Sequence, residues 1–252
     1  MGYDVSFHPI SPEEMREWYF TPLTWMQQGQ EEKVLTLAVQ HGMEDFYAEK
    51  YLDTLRVGAG TESDELFDKS HGFYIAVIQG FFRDYYYTRG SAFSFLAEEK
   101  PEYARYFSPW AQVMPTAFLN PTENQIVENY CSGVYLSPNQ VLQLLRDLEQ
   151  DPKVLEDLEK HWSDGQLAVL KKALTAAAEL GTGLLEATEV VEPDPICPNE
   201  SISYSNLYHC DRDGVYLYID TVSRHPLRST AQNTACLQYQ SRWKRSPGCC
   251  CR

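Results

Sequence analysis

The stretch HGFYIAVIQGFFRDYYYTRGSAFSFL, residues 71–96, constrains the fold more than any other part of the chain. It is apolar almost all round, and a helix of that composition belongs in the middle of a domain, covered on every side. The spacing predicts one buried helix, with Gly80 letting a neighbouring helix approach closely. Arg83, Asp84 and Arg89 interrupt the run. Charges are seldom fully buried, so these three are read as reaching the surface at the helix end, with a buried polar site as the alternative.

Other helices announce themselves by their first turns. Ser11-Pro12-Glu13-Glu14 places a serine at the N-cap, proline at N1 and glutamate at N3, a capping box. Ser137-Pro138-Asn139-Gln140 repeats the pattern and opens a helix with Val141, Leu144, Leu145 and Leu148 on one face. Asp151-Pro152 starts another, carrying Val154, Leu155 and Leu158. Asp164 is placed to cap a helix from Gln166 to Leu180 that Gly181 ends. Val34 to Leu55 shows apolar residues at threes and fours and reads as largely helical.

After Leu185 the pattern changes. EATEVVEPDPICPNE carries three prolines and reads as an extended connection. Residues 204–220 then alternate in β-forming types. Leu207–Cys210 and Val215–Tyr218 flank Asp211-Arg212-Asp213-Gly214, so the reading is a β-hairpin. The expected fold is therefore mainly α: a compact multi-helix domain over residues 1–220, with a small antiparallel β-hairpin near its C-terminal end. Residues 221–252 carry six Lys or Arg, no acids and a terminal Cys249-Cys250-Cys251 triplet. Their loss of amphipathic order has three readings: a basic functional tail, a lipidated end, which the final arginine does not suit, and a reading-frame slip near residue 222 that leaves a basic, Cys-rich tail never selected to fold, the last being preferred on composition.

Charge sorts the partner classes. Residues 1–220 hold all 36 carboxylates against 15 of the 21 Lys and Arg, a net of −21. Such a body repels phosphate backbones, so no nucleic-acid partner is expected. It attracts and steers a basic protein. The stretch GAGTESDELFDKS is an acidic loop, and Glu62, Asp64, Glu65 and Asp68 are the candidate residues for engaging such a partner. No apolar run reaches the roughly 18–20 residues that span a bilayer, and the N-terminus lacks the basic and apolar regions of a secretory signal. No membrane partner and a cytoplasmic location are expected.

The chemistry-bearing patterns are few. No C-x-x-C pair, G-x-S-x-G, H-E-x-x-H or P-loop is present, and no cofactor is expected. Cys131, Cys197 and Cys210 read as reduced, buried thiols. His209, Asp211, Asp213, Gly214 and Asp220 can be laid on a calcium loop, but its first position is a nitrogen ligand and its twelfth a short aspartate. A transition-metal site using His209 and Cys210 fails on a strand, where adjacent side chains point to opposite faces. The hairpin turn is the better reading. A metal site from His209, Asp211 and Asp213, serving a small metal-dependent hydrolase or metal-binding protein, is kept as the alternative.

Three segments, MGYDVSFHPISPEEMREWYF, HGFYIAVIQGFFRDYYYTRGSAFSF and GLLEATEVVEP followed by SYSNLYHCDRDG, resemble a family of uncharacterised bacterial cytosolic proteins. The chain is also similar to immunity proteins encoded beside type VI secretion toxins. The likeness spans residues 1–220. It implies a non-enzymatic protein that binds a cognate antibacterial effector, such as a nuclease, and occludes its active site. It carries over no catalytic residue.

Overall fold

The computed structural model describes residues 3–59, 71–113, 115, 134–162, 165–194, 207 and 209–222. Its centre is a five-stranded mixed sheet sandwiched between two layers of helices. The first strand, β1 (Tyr3–Ile10), lies in the middle. On one side it pairs antiparallel with β2 (Tyr85–Gly90), Val5 opposite Thr88 and Phe7 opposite Tyr86. On the other it pairs antiparallel with β4 (Gly183–Thr188), Val5 opposite Thr188 and Pro9 opposite Leu184. Next to β4 runs β3 (Val134–Leu136), again antiparallel. At the far edge β5 (Cys210–Asp211) lies parallel to β2. The spatial order is β3-β4-β1-β2-β5.

Alternation along the strands divides the core in two. Val5, Phe7, Tyr86, Val134, Leu136 and Leu184 face one helical layer. That layer holds α6 (Phe93–Glu99), the 3₁₀ turn Pro101–Tyr106, α8 (Pro138–Gln150), α9 (Pro152–His161) and α10 (Gln166–Leu180). Ile10, Tyr85, Tyr87, Tyr135, Leu185 and Ala187 face the other layer. It holds α1 (Pro12–Met15), the π-helical turn Arg16–Phe20, α2 (Thr21–Gln27), α3 (Glu31–Gln40), α4 (Asp45–Gly58) and α5 (His71–Phe82). The short α7 (Trp110–Val113) also contributes Trp110 to this second core. A sheet buried on both faces hides both sets of side chains, so its strands read as solid runs. In β4 every residue is buried, Glu186 included.

The helix starts expected from sequence are present. Glu14 N–H donates to Ser11 Oγ at 3.2 Å, and Ser11 N–H donates back to Glu14 Oε2 at 2.8 Å. Ser137 N–H donates to Gln140 Oε1 at 2.8 Å and Lys153 N–H to Asp151 Oδ1 at 3.0 Å. Gly181, at φ +68°, ends α10 in the left-handed region that suits glycine. The Val34–Leu55 reading resolves into α3 and α4, joined by a turn at His41–Glu44. Asp164, expected to cap α10, lies outside the described residues.

Two expectations are corrected. Residues 71–96 are not one helix. They form α5, then β2, then α6. The chain turns at Arg83-Asp84, and three consecutive tyrosines with strand preference enter the sheet, Tyr85 and Tyr87 on one face and Tyr86 on the other. Gly80 admits the Tyr85 ring instead of another helix: a Cβ there would stand 3.0 Å from Tyr85 Cε1. Asp84 is exposed, but the Arg83 and Arg89 side chains are mostly buried and pair with Glu14 and Asp4 near the N-terminus.

Nor does the described part of residues 204–220 form a hairpin. Cys210-Asp211 adds a short strand beside β2, and Asp213 opens α11 (Asp213–Val222). Asp213 N–H donates to Asp211 Oδ1 at 3.3 Å, as at a helix start. Gly214 and Val215 are buried while Tyr216 and Leu217 are exposed, which breaks strand alternation. Gly214 is required by contact and not by turn geometry, because a Cβ there would stand 1.6 Å from the Tyr87 carbonyl oxygen. With α11 packed this closely on Tyr87, it covers the part of β2 that follows the two residues paired with β5. Among the described residues, no helix is long and apolar enough to cross a membrane.

Candidate functional site

The even-numbered residues of β1 point toward α5, and three of them are polar: Asp4, Ser6 and His8. His8 is the centre of a closed chain of hydrogen bonds. Its Nδ1 lies 2.7 Å from Gln79 Oε1 on α5, and its Nε2 lies 2.8 Å from Ser6 Oγ. Gln79 Nε2 faces the carbonyl oxygens of Pro9, Arg83 and Asp84 at 3.1–3.4 Å. Those acceptors fix the amide orientation, so Gln79 Oε1 can only accept, and it takes the Nδ1 proton. Nε2 is then the lone-pair nitrogen and accepts from the Ser6 hydroxyl. Burial lowers the His8 pKa to about 4, so the ring is neutral. The Tyr85 ring stacks on it at 4.9 Å.

Hydroxyl, imidazole and an orienting side chain are the parts of a nucleophilic triad. Two features set this chain apart. A neutral amide stands where a carboxylate would stabilise an imidazolium. Ser6, His8 and Gln79 are also 1%, 1% and 0% exposed. The arrangement ties α5 to the central strand and presents no face to a substrate.

Asp4 anchors the other end of the same row. It accepts from the Tyr87 hydroxyl and from Arg89 Nη1, the latter at 3.3 Å to both oxygens. Its N–H donates to Glu189 Oε1 at 3.0 Å, and its carbonyl accepts from Glu189 N–H at 2.8 Å. Burial, reinforced by Glu189 and Glu192, raises the Asp4 pKa to about 6 against the pull of Tyr87 and Arg89. On the opposite face Glu186 accepts the N–H groups of Phe93 and Ser94 at 2.7 and 3.0 Å. These are first-turn donors of α6 that have no partner within the helix. Burial pushes the Glu186 pKa up.

The residues singled out from sequence separate in space. His209 Nδ1 donates to the Gly80 carbonyl at 3.1 Å, at the end of α5. Asp211 and Asp213 both turn to Lys172 of α10, whose Nζ is 2.6 and 2.7 Å from their carboxylates. Among the described residues no three His, Cys, Asp or Glu side chains converge as a metal cluster. Cys210 is buried, as expected, and burial pushes its thiol up to about 12. Glu62, Asp64, Glu65 and Asp68 lie outside the described residues, as do Cys131 and Cys197.

The polar row on β1 was missed in the sequence because Asp4, Ser6 and His8 sit in a segment read only for its helix start. The signal was there: YDVSFHPI alternates polar and apolar residues at period two. No family model, curated protein or solved structure matches the chain.

Proposed function

We propose that the chain is a non-enzymatic inhibitor, an immunity-type protein that works in the cytoplasm by binding a basic antibacterial toxin, such as a nuclease effector, and covering its active site. The observation that carries this reading is the charge of residues 1–220, all 36 carboxylates against 15 Lys and Arg. A body of that sign accelerates encounter with a cationic partner and disfavours polyanions. The polar row is consistent with it, since Ser6, His8 and Gln79 are spent on one another. Co-expression tests the reading. The product of the gene adjacent to this one is expressed with and without the chain, and growth is followed. Rescue supports the proposal; a product that is harmless alone, or still toxic in the presence of the chain, ends it.

A metal-dependent activity at His209–Asp213 is the second reading, favoured by the convergence of Asp211 and Asp213 on a single cationic position. A divalent ion there would have to displace the Lys172 ammonium. Stoichiometric metal in the purified protein, lost on D211N/D213N, would establish it in place of the inhibitor.

A further inference from the structure

We infer that the outer face of the α3–α4 hairpin is a docking surface, and that its occupant is a protein patch with Lys and Arg around an apolar centre. The identity of that partner as a toxin rests on the inhibitor reading above; the surface itself rests on geometry.

The inner faces of the two helices supply the core through Val34, Leu37, Ala38, Ala48, Tyr51, Leu52 and Leu55. Four large apolar side chains are left outside: Leu35, Val39, Phe46 and Val57, at 36%, 66%, 61% and 46% exposure. They share one side of the hairpin, and Arg56 shows it. Its guanidinium bonds Glu31 of α3 at 2.7 Å and Asp53 of α4 at 2.6 Å. Leu35 and Val39 follow Glu31 at successive steps of four, on one stripe of α3. Phe46 and Val57 stand seven residues before and four after Asp53, on one stripe of α4. The stripes that Arg56 joins are therefore the two that carry the exposed apolar groups.

The rim is acidic. The charged residues of the hairpin are Glu31, Glu32, Glu44, Asp45, Glu49 and Asp53 against Lys50, Arg56 and Lys33, the last turned away over the Trp25 ring of α2. Arg56 is already held by two carboxylates, and Lys50 Nζ sits 5.1 Å over the Phe46 ring. Solvent-facing positions of a stable helical hairpin have no need of such side chains, and grouped apolar residues with a polar rim mark a protein-binding surface. The rim selects the partner. An anionic lipid surface, or the equivalent rim of a second copy, would be repelled, whereas a cationic protein surface is drawn in.

The test titrates the purified product of the adjacent gene against the full chain by calorimetry and stopped flow. The probes are wild type, V39S/F46S, E44K/E49K, and Leu142→Ser as a control on α8, where Leu142 is 47% exposed. All substituted positions are exposed, and circular dichroism confirms that each variant folds. V39S/F46S is expected to weaken binding by at least about tenfold, with Leu142→Ser within about twofold. E44K/E49K is expected to slow association and flatten its salt dependence. Wild type binding with V39S/F46S unchanged overturns the docking face and leaves the inhibitor reading intact. Absence of wild-type binding overturns both. Sedimentation of the chain alone, and flotation with phosphatidylglycerol vesicles, complete the set. A dimer or vesicle binding abolished by V39S/F46S assigns the face to a second copy or to lipid and overturns the proposal.

Discussion

Gln79 accepts the Nδ1 proton of His8 across 2.7 Å, with both side chains sealed between α5 and the central strand. The bond is indispensable to its surroundings because neither group has water to fall back on. Gln79→Met keeps the approximate volume and removes the amide. It strands the imidazole N–H and three carbonyl oxygens near Gln79 Nε2. The expected loss is about 1–3 kcal/mol for an unsatisfied buried group, read as a lower urea midpoint with unchanged slope.

Buried titratable side chains on β1 and α5 set how stability depends on pH. His8 and His71 have folded pKa values of about 4, below the ordinary 6.5. Their contribution is present above pH 6.5 and is lost as pH falls toward 4, because the unfolded chain binds those protons first. Asp4 acts in the opposite sense. Its folded value of about 6 stands above the ordinary 3.8, so the native state takes up its proton first and gains as pH falls through this window. Asp4→Asn removes the opposing contribution. Between pH 6 and 4 the variant should lose stability more steeply than wild type, by up to about 1.4 kcal/mol per pH unit. Equal slopes in parallel urea titrations would count against the assignment of Asp4.

Gly214 lies in the first turn of α11 and Gly181 directly follows α10, yet their substitution should differ. Gly181 has φ +68° and no atom within 4 Å of a built Cβ, so Gly181→Ala should cost only the left-handed conformation, about 1 kcal/mol. At Gly214 the Cβ would collide with the Tyr87 carbonyl oxygen, and α11 must move off β2. A cost of about 1–3 kcal/mol or more is expected, with lost hydrogen-exchange protection along α11. Thermal melts of the two variants side by side provide the comparison.

Lys172 bridges Asp211 and Asp213 from α10, and the two carboxylates raise its pKa. The ammonium is about half exposed, so the pairing contributes modestly. Lys172→Met should cost about 0.5–1 kcal/mol. Its clearer signature is local: faster amide exchange at Asp213–Tyr216, with β1 and β4 unaffected.

What could be read from the sequence depends on where each element sits. Helices α8, α9 and α10 have one wet face and one dry face, so their period of 3.6 survives, and Ser137, Asp151 and Gly181 mark their limits. Apart from the alternation in β1, the sheet left no such trace. Leu184 and Leu185 are both buried because helices cover both faces, so β4 shows apolar residues in succession and no alternation. Tyr85–Tyr87 hid β2 in the same way, by extending the apolar run of α5. Around Asp213 the composition favours strands, but the helix wins because Gly214 fits against Tyr87 and Lys172 holds the first turn. Such tertiary contacts override local preference. The polar row of Asp4, Ser6 and His8 becomes intelligible only once β1 is known to be central, since polar residues on a strand ordinarily mark its wet face.

The position of β1 also sets a timetable for biosynthesis. Val5 pairs with Thr188 on one side and with Thr88 on the other. At about 5–20 residues per second, a ribosome needs on the order of ten to forty seconds to travel from the first strand to its β4 partner. During that interval β1 and β2 can pair, but the opposite edge of β1 stays open, with Val5 and Phe7 uncovered because α8–α10 have only begun to emerge. The nascent chain therefore carries a sticky half-sheet, which makes slow translation or a shortage of chaperone the conditions under which this protein is most exposed to aggregation.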